Sequence, residues 1–307
     1  MFERLVARSG LSIERLRTLL LVAEFGGITA AARGNAVTQS MFSRQLRDLE
    51  EFFGVPLFER RGRGIVMTRA GERLVMVVRQ SLSGLDDFLS DSIGARPCFD
   101  IGAGDSLLHW VLIPAIGRPF PELGGFDLRL RNLRTREIVQ ALRDLELDVG
   151  FVRDEVVIPP LKSQRLFSMS YALFVPKSLV PDGAKATGPE ILSEIPLALL
   201  TDSRIEQAVL AELKTESPKA ILGCDSFTQA AAALKTGRFG AILPTIAAGS
   251  FAIPDVISID LKSLKKLARS IHMAWNPRLA GIRSKSDSCR RTLTAAISKW
   301  LEIQNVH

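Results

Sequence analysis

The chain has 307 residues, long for one compact core, so two or more domains are expected. Hydrophobic content of 47% with 24% charged residues is ordinary for a globular protein, and no apolar run approaches the length of a membrane span. The formal net charge of +7 is no argument for nucleic acid in itself, because residues 1–93 carry 13 Arg against 11 acids, residues 94–160 come to about −2, and the remainder supplies about +7. The informative charge is local. Arg60, Arg61, Arg63, Arg69, Arg73 and Arg79 face only Glu72 between positions 60 and 79, and no lysine precedes Lys162. Arginine's planar fork suits phosphates and guanine edges better than an ammonium does. The N-terminal Met1-Phe2-Glu3-Arg4-Leu5 is charged early, which argues against secretion and for a cytoplasmic protein. Cys98, Cys224 and Cys289 are odd in number and far apart, and are expected as buried free thiols.

Along the chain, Leu16, Leu19, Leu20 and Ala23 recur at helical spacing, and Phe25-Gly26-Gly27 ends that helix. Thr29 can cap a short segment Ala30-Ala31-Ala32, Gly34-Asn35 supplies a turn, and Thr38 is a good cap for a third helix. On that helix Phe42, Leu46, Leu49 and Phe53 form one narrow stripe. Ser40, Ser43, Arg44 and Arg47 lie opposite, with Gln39 at the exposed N-terminal edge. An isolated helix of this pattern is most often an amphipathic surface helix. Here a helix and turn precede it at helix-turn-helix spacing, its polar face is short-chained enough to approach base edges, and an arginine-rich hairpin, Phe58 to Thr68, follows. A winged helix-turn-helix is therefore predicted. The next helix, from Ala70 to about Ile93, carries Val75, Val78, Leu82, Leu85 and Leu89 at alternating three- and four-residue steps. That seam fits packing either on the chain's own domain or on a second long helix from another chain. Gly94-Ala95-Arg96-Pro97 marks a hinge.

After Pro97 strands and helices alternate. Strands are expected at Phe99–Ala103, Phe126–Leu130, Leu147–Val152, Tyr171–Val175, Pro196–Leu200 and Ala241–Pro244. Helices are expected from Asp105, over Thr135–Leu145 and Ser226–Thr236, and at the tail, Ser288–Ile303. The alternation implies parallel sheets with helices on both faces. Enzyme signatures are missing. Gly102-Ala103-Gly104-Asp105 lacks the glycine register of a dinucleotide fingerprint, there is no Walker or Gly-x-Ser-x-Gly motif, and His109, His272 and His307 have no metal-ligand spacing. No catalytic residue, metal or cofactor is expected.

Taken in order, Leu16-Arg17, Gly27-Ile28-Thr29-Ala30-Ala31-Ala32, Thr38-Gln39-Ser40, Ser43-Arg44-Gln45-Leu46, Leu49-Glu50, Gly54-Val55-Pro56-Leu57-Phe58-Glu59-Arg60 and Thr68-Arg69-Ala70-Gly71-Glu72 form an ordered set that closely resembles the LysR-type transcriptional regulators. The chain departs from the family at Asn35, where a leucine is usual, and at the bulky pair Met41-Phe42. The resemblance implies an N-terminal winged helix-turn-helix at 1–69, a linker and dimerisation helix with its hinge at 70–96, and a C-terminal α/β effector domain at 97–307. That domain would comprise two Rossmann-like lobes of the periplasmic-binding-protein type II kind, lobe I at about 97–160 and 268–307 and lobe II at about 161–267.

It further implies that Gln39, Ser40, Ser43 and Arg44 face the major groove, with Thr38 and Arg47 beside them, while Thr29, Arg60 and Arg63 hold phosphates or reach the minor groove. The family's ligand positions correspond to Asp105, Ser106, Thr135, Thr201, Ser226 and Phe227. Helix N-termini there would favour an organic acid, although Asp105 argues against a strongly anionic one or for one with a cationic group. The expected function is a sequence-specific DNA-binding transcriptional regulator controlled by a small-molecule effector, acting as a homodimer or homotetramer on double-stranded DNA. The alternatives are a small-molecule-binding protein or enzyme whose N-terminal module only dimerises it, and a DNA binder without effector control. The exposed Ser43, Arg44 and wing arginines weigh against the first of these.

Overall fold

After a short α1 (Glu3–Val6), the three long helices of the N-terminal unit each start on a side-chain cap, which satisfies a backbone N–H that the helix itself cannot. Ser12 accepts from the Arg15 N–H at 3.2 Å ahead of α2 (Ile13–Glu24). The four-residue α3 (Ile28–Ala31) has no such cap. Asn35 accepts from the Thr38 N–H at 3.0 Å ahead of α4 (Ala36–Phe53). A hairpin, β1 (Phe58–Arg61) and β2 (Gly64–Met67), leads to Thr68, which accepts from the Gly71 N–H at 3.1 Å and opens α5 (Arg69–Ser92). The computed structural model describes residues 2–7, 9–61, 64–117, 125–180, 190–201, 203–213, 218–251 and 255–304.

Two capping expectations are corrected. Thr38 is the third residue of α4 and donates its N–H to Asn35, because an asparagine in extended conformation is at least as good a cap as threonine and stands earlier in the chain. Thr29 lies inside α3, which starts one residue before it, after Gly27. The core of this unit is Leu19, Val22, Phe42, Leu46, Leu49 and Leu57, with Val75 and Val78 from α5. Those last two side chains belong to the chain's own core, and Leu82 packs at its edge. The expected dimerisation seam therefore divides: its first half is consumed internally, while Leu85 and Leu89 are exposed, each at 57%, beside Phe88 at 72%.

Contacts divide the chain into Met1–Ala95 with Asp144–Glu146, and Arg96–Arg143 with Leu147–His307. The second unit opens with β3 (Cys98–Ala103), α6 (Asp105–Leu107), a π-helical turn (Leu108–Leu112) and α7 (Ile113–Gly117). There follow β4 (Asp127–Asn132), α8 (Thr135–Arg143), β5 (Val149–Arg153), a 3₁₀ turn (Asp154–Val156), β6 (Lys162–Met169) and β7 (Tyr171–Pro176). Next come a 3₁₀ turn (Lys177–Leu179), α9 (Glu190–Glu194), β8 (Pro196–Leu200), α10 (Arg204–Leu213), β9 (Ala220–Cys224), α11 (Phe227–Lys235) and β10 (Gly240–Pro244). A further 3₁₀ turn (Thr245–Ser250), β11 (Val256–Ile259), α12 (Lys262–Lys265), β12 (Arg269–Trp275), α13 (Pro277–Ala280) and α14 (Ser286–Ile303) complete the chain.

Among the described residues these strands form two five-stranded sheets, β4-β3-β5-β12-β6 and β11-β7-β10-β8-β9. The strand–helix alternation implies parallel sheets, but neither sheet is wholly parallel. β12 runs antiparallel to β5 and β6, and β7 antiparallel to β10 and β11, because those strands carry the chain between sheets rather than through a crossover helix. The place of crossing is also corrected. β6 belongs to the first sheet and β7 to the second, so the chain crosses at Ser170 and not at the expected lobe boundary near residue 160, and it returns into β12 at Arg269.

Arg283 and Asp148 fasten the first sheet to the final helical part. Arg283 donates to the Cys98 carbonyl at 2.7 Å and lies over the Phe99 ring. The buried Asp148 accepts from the Asp100 N–H at 2.8 Å and sits 3.5 Å from the Arg283 guanidinium.

Candidate nucleic-acid interface and ligand cleft

The exposed side of α4 is built by what holds its other side. Phe42, Leu46, Leu49 and Phe52 are buried, so the register of the helix is fixed and Ser40, Arg44 and Arg47 must face outward. Glu50 accepts from two backbone N–H groups, Leu57 at 2.7 Å and Phe58 at 3.1 Å, which ties the end of α4 to the start of the hairpin. Gly54 ends the helix in the left-handed region at φ 69°, and its N–H donates to the Glu50 carbonyl at 2.8 Å. Together these place β1 and β2 beside α3 and the N-terminal half of α4.

The result is a concave surface of about 870 Å³ lined by residues of all three parts. It gathers Thr29 from α3, Gln39, Ser40, Ser43 and Arg47 from α4, and Arg60 from the hairpin. These are six of the residues expected at a DNA face. Arg44 is exposed on α4 without lining the concavity, and Thr38 is half-buried. Arg63 lies outside the described residues. Arg47 donates from Nε to the Ser43 carbonyl at 3.3 Å, which lays its stem along the helix. Short serines flanked by arginines leave room for a groove edge and supply both base-reading and phosphate-holding donors. Gln45, inside the same motif, points the other way: its side-chain amide spans from Thr18 at 2.5 Å to Glu14 at 3.1 Å on α2.

In the second unit a cavity of about 700 Å³ opens between the two sheets. Of the six expected ligand positions, Ser106, Thr135 and Phe227 line it, whereas Asp105, Thr201 and Ser226 do not. Each of the excluded three has a local task. The Asp105 carboxylate accepts a hydrogen bond from the Thr228 hydroxyl. Ser226 caps α11 through the Gln229 N–H at 3.2 Å. The Thr201 methyl packs against Gly223 on the neighbouring strand.

What the sequence reading missed is a set of arginines: Arg136, Arg153, Arg204 and Arg269 all line the cavity. The signal was there in two of them. Arg136 and Arg204 stand in the first turn of a helix that follows a strand end, where an acidic residue is the usual choice. Tyr171 and Phe227 stack with ring centroids 5.5 Å apart and form an aromatic wall. Burial pushes the Tyr171 phenol above its ordinary pKa, with Arg153 and Arg269 pulling the other way, so the phenol stays protonated at neutral pH.

No helix among the described residues is long and apolar enough to cross a membrane. Two family models match the chain. The one described as bacterial regulatory helix-turn-helix protein, lysR family, matches residues 13–72, and the LysR substrate binding domain matches residues 94–284. The transcriptional regulator MetR of Haemophilus influenzae is 39% identical over 120 residues, 34% of this chain and 39% of that protein. A probable nitrogen assimilation transcriptional activator of Synechococcus elongatus is 24% identical over 301 residues, 93% of this chain and 96% of that one. The first curated relatives are matched over less than two thirds of their own length. A full-length OxyR variant from Pseudomonas aeruginosa shares the fold with a TM-score of 0.62 at 20% identity, covering 94% of each chain. With family models spanning both of its units, the chain belongs to the LysR family of bacterial regulatory helix-turn-helix proteins.

Proposed function

We propose that this protein is a sequence-specific transcription regulator that binds double-stranded DNA through its N-terminal unit and is controlled by a small-molecule effector in the cleft of its second unit. The observation that carries this reading is the concave surface on which Thr29, Gln39, Ser40, Ser43, Arg47 and Arg60 converge. Gln39, Ser40, Ser43 and the exposed Arg44 read base edges, while Thr29, Arg60 and Arg63 hold phosphates. Thr38 and Arg47 flank the reading face.

The regulator works in the cytoplasm as a homodimer or homotetramer. Leu85, Phe88 and Leu89, exposed within two turns of α5, support pairing with a second copy, since a run of bare apolar side chains on a helix is otherwise costly. Two reading units on one duplex then raise affinity through effective concentration. The functional divisions are the DNA-binding part at 1–69, the linker at 70–96 and the effector part from 97 onward. Within the latter, Ser106, Thr135 and Phe227 contact the effector, and Asp105, Thr201 and Ser226 shape the loops around it. No residue is assigned a catalytic role. Genomic footprinting of the tagged protein tests the regulator: discrete preferred sites are expected, and uniform occupancy along the chromosome would sink it.

A further inference from the structure

The cleft carries more positive charge than packing requires. Among the described residues, Arg136, Arg153, Arg204 and Arg269 line it against one carboxylate, that of Glu155. Glu155 lies 3.4 Å from the Arg269 guanidinium, so that pair is internally balanced. Arg136, Arg153 and Arg204 form no salt bridge among the described residues. Two of these three also stand where helix electrostatics opposes them. Arg204 is the first residue of α10 and Arg136 the second of α8, and the partial positive charge of a helix N-terminus disfavours a cation there. Neither is needed to start its helix. Ser203 caps α10 by accepting from the Glu206 N–H at 3.1 Å, and Glu137 accepts from the Arg134 N–H at 2.6 Å at the head of α8. Asp105 is engaged by Thr228 and does not line the cavity.

Three guanidinium groups without an ion pair among the described residues repel one another in a shared cleft, and a ligand that neutralises only one leaves most of that repulsion in place. Their distribution adds a geometric requirement. Arg136 and Arg153 belong to the part of the chain that builds the first sheet, and Arg204 to the part that builds the second. The stacked pair Tyr171 and Phe227 lines the same cavity of about 700 Å³, a volume suited to a small organic molecule.

We propose that the ligand of this cleft is a small dianion with a flat apolar body, one charged group held by Arg136 and Arg153 and the other by Arg204. Carboxylate and phosphate both fit the guanidinium fork, so the shared chemistry is two anionic groups on one planar frame. The inference rests on the regulator reading for what binding does, but on the cavity alone for what binds.

Isothermal titration calorimetry on the full chain with four ring compounds tests it: terephthalate, the bis(methyl phosphate) diester of hydroquinone, benzoate and benzamide. At least one of the two dianions is expected to bind about tenfold or more tightly than benzoate, with benzamide weaker still, and the better dianion tells carboxylate from phosphate. Arg204→Gln is expected to weaken that dianion about tenfold while changing benzoate less. Arg136→Gln carries the same expectation should the first variant unfold. Benzoate or benzamide binding as well as both dianions, or none of the four binding at millimolar concentration, overturns the proposal. A separate DNA-binding titration keeps the two readings apart. Loss of site preference with dianion binding intact defeats only the regulator, and the reverse defeats only the dianion.

Discussion

Thr18 donates its hydroxyl to the Gln45 side-chain carbonyl at 2.5 Å, a bond between the first long helix and the exposed-faced α4. The amide nitrogen of Gln45 donates in turn to Glu14 at 3.1 Å, and Arg15 pairs with Asp48 at 2.8 Å one turn along. Three residues of α2 thus hold two of α4, so the tilt at which Ser40 and Ser43 are presented is set by side chains that do not line the concave surface. Thr18 is only 3% exposed. Gln45→Leu should therefore leave a buried hydroxyl without its acceptor and destabilise the N-terminal unit by about 1–3 kcal/mol. Adding Thr18→Val to that variant should recover most of the loss, since removing both partners costs less than removing one. Thermal unfolding of the single and double variants checks this, and a double variant no more stable than Gln45→Leu would show that the bond does not carry the effect.

Gly71 offers a second stability test. A Cβ at that position would run into the Leu57 carbonyl and the Met67 side chain. Thr68 also donates to the Pro56 carbonyl at 2.7 Å while capping α5, so helix and hairpin meet here with no slack. Gly71→Ala should cost about 1–3 kcal/mol, against the gain that alanine brings at an open helix position. A higher melting temperature for the variant would mean that the close approach is not maintained in solution.

The proposed division of labour on the DNA face predicts two different losses. Arg44→Ala should relax sequence preference by about 1–3 kcal/mol per lost base contact, seen as a smaller gap between matched and mismatched duplexes. Arg60→Ala should weaken both duplexes alike and reduce the salt dependence of binding by about one counterion. Competition titrations at several salt concentrations separate these outcomes. Equal, sequence-blind losses in both variants would remove the distinction between reading and clamping.

The fold class and most helices were legible because they depend on local pattern. The stripe Phe42, Leu46 and Leu49 reports one buried face, and the strand at Pro196–Leu200 reads directly as an apolar run. What was not legible depends on contacts distant in sequence. The sequence expectations include β7 but no strand at β6, and only pairing with β12 assigns β6 to one sheet while pairing with β10 assigns β7 to the other. The same holds for the cleft. Asp105 reads as a rim acid in the sequence, but Thr228, far along the chain, takes its carboxylate away. Conversely, Arg153 and Arg269 end and begin strands whose shared sheet alone brings them to one cavity.

The divided seam of α5 makes a prediction about assembly. Val75 and Val78 are spent on the internal core, so only the later positions are available to a partner copy. Leu89→Asp should then halve the molecular mass seen in sedimentation without lowering the melting temperature of the N-terminal unit, because Leu89 is exposed. Avidity would fall with it, and binding to a two-half-site duplex should drop by about 10²-fold or more. A variant that sediments like the parent protein would place the pairing surface elsewhere.

Cys289 links the second unit to alkaline pH. Its side chain is 0% exposed, and burial above all, with the Asp148 carboxylate adding to it, pushes the thiol from 9.0 up to about 12, against the pull of Arg290 and Arg283. The folded chain therefore keeps a proton that the unfolded chain loses, and the stability this represents is complete below the unfolded value and is lost as pH rises toward the folded one. Between about pH 8 and pH 11 the parent protein should lose melting temperature more steeply than Cys289→Ala, which has no proton to give up. The same burial should protect the thiol from iodoacetamide until the unit unfolds, because the thiolate is the reacting form. Identical alkaline slopes for the two proteins, or rapid alkylation of Cys289 in the folded chain, would show that the thiol is neither sealed nor held protonated.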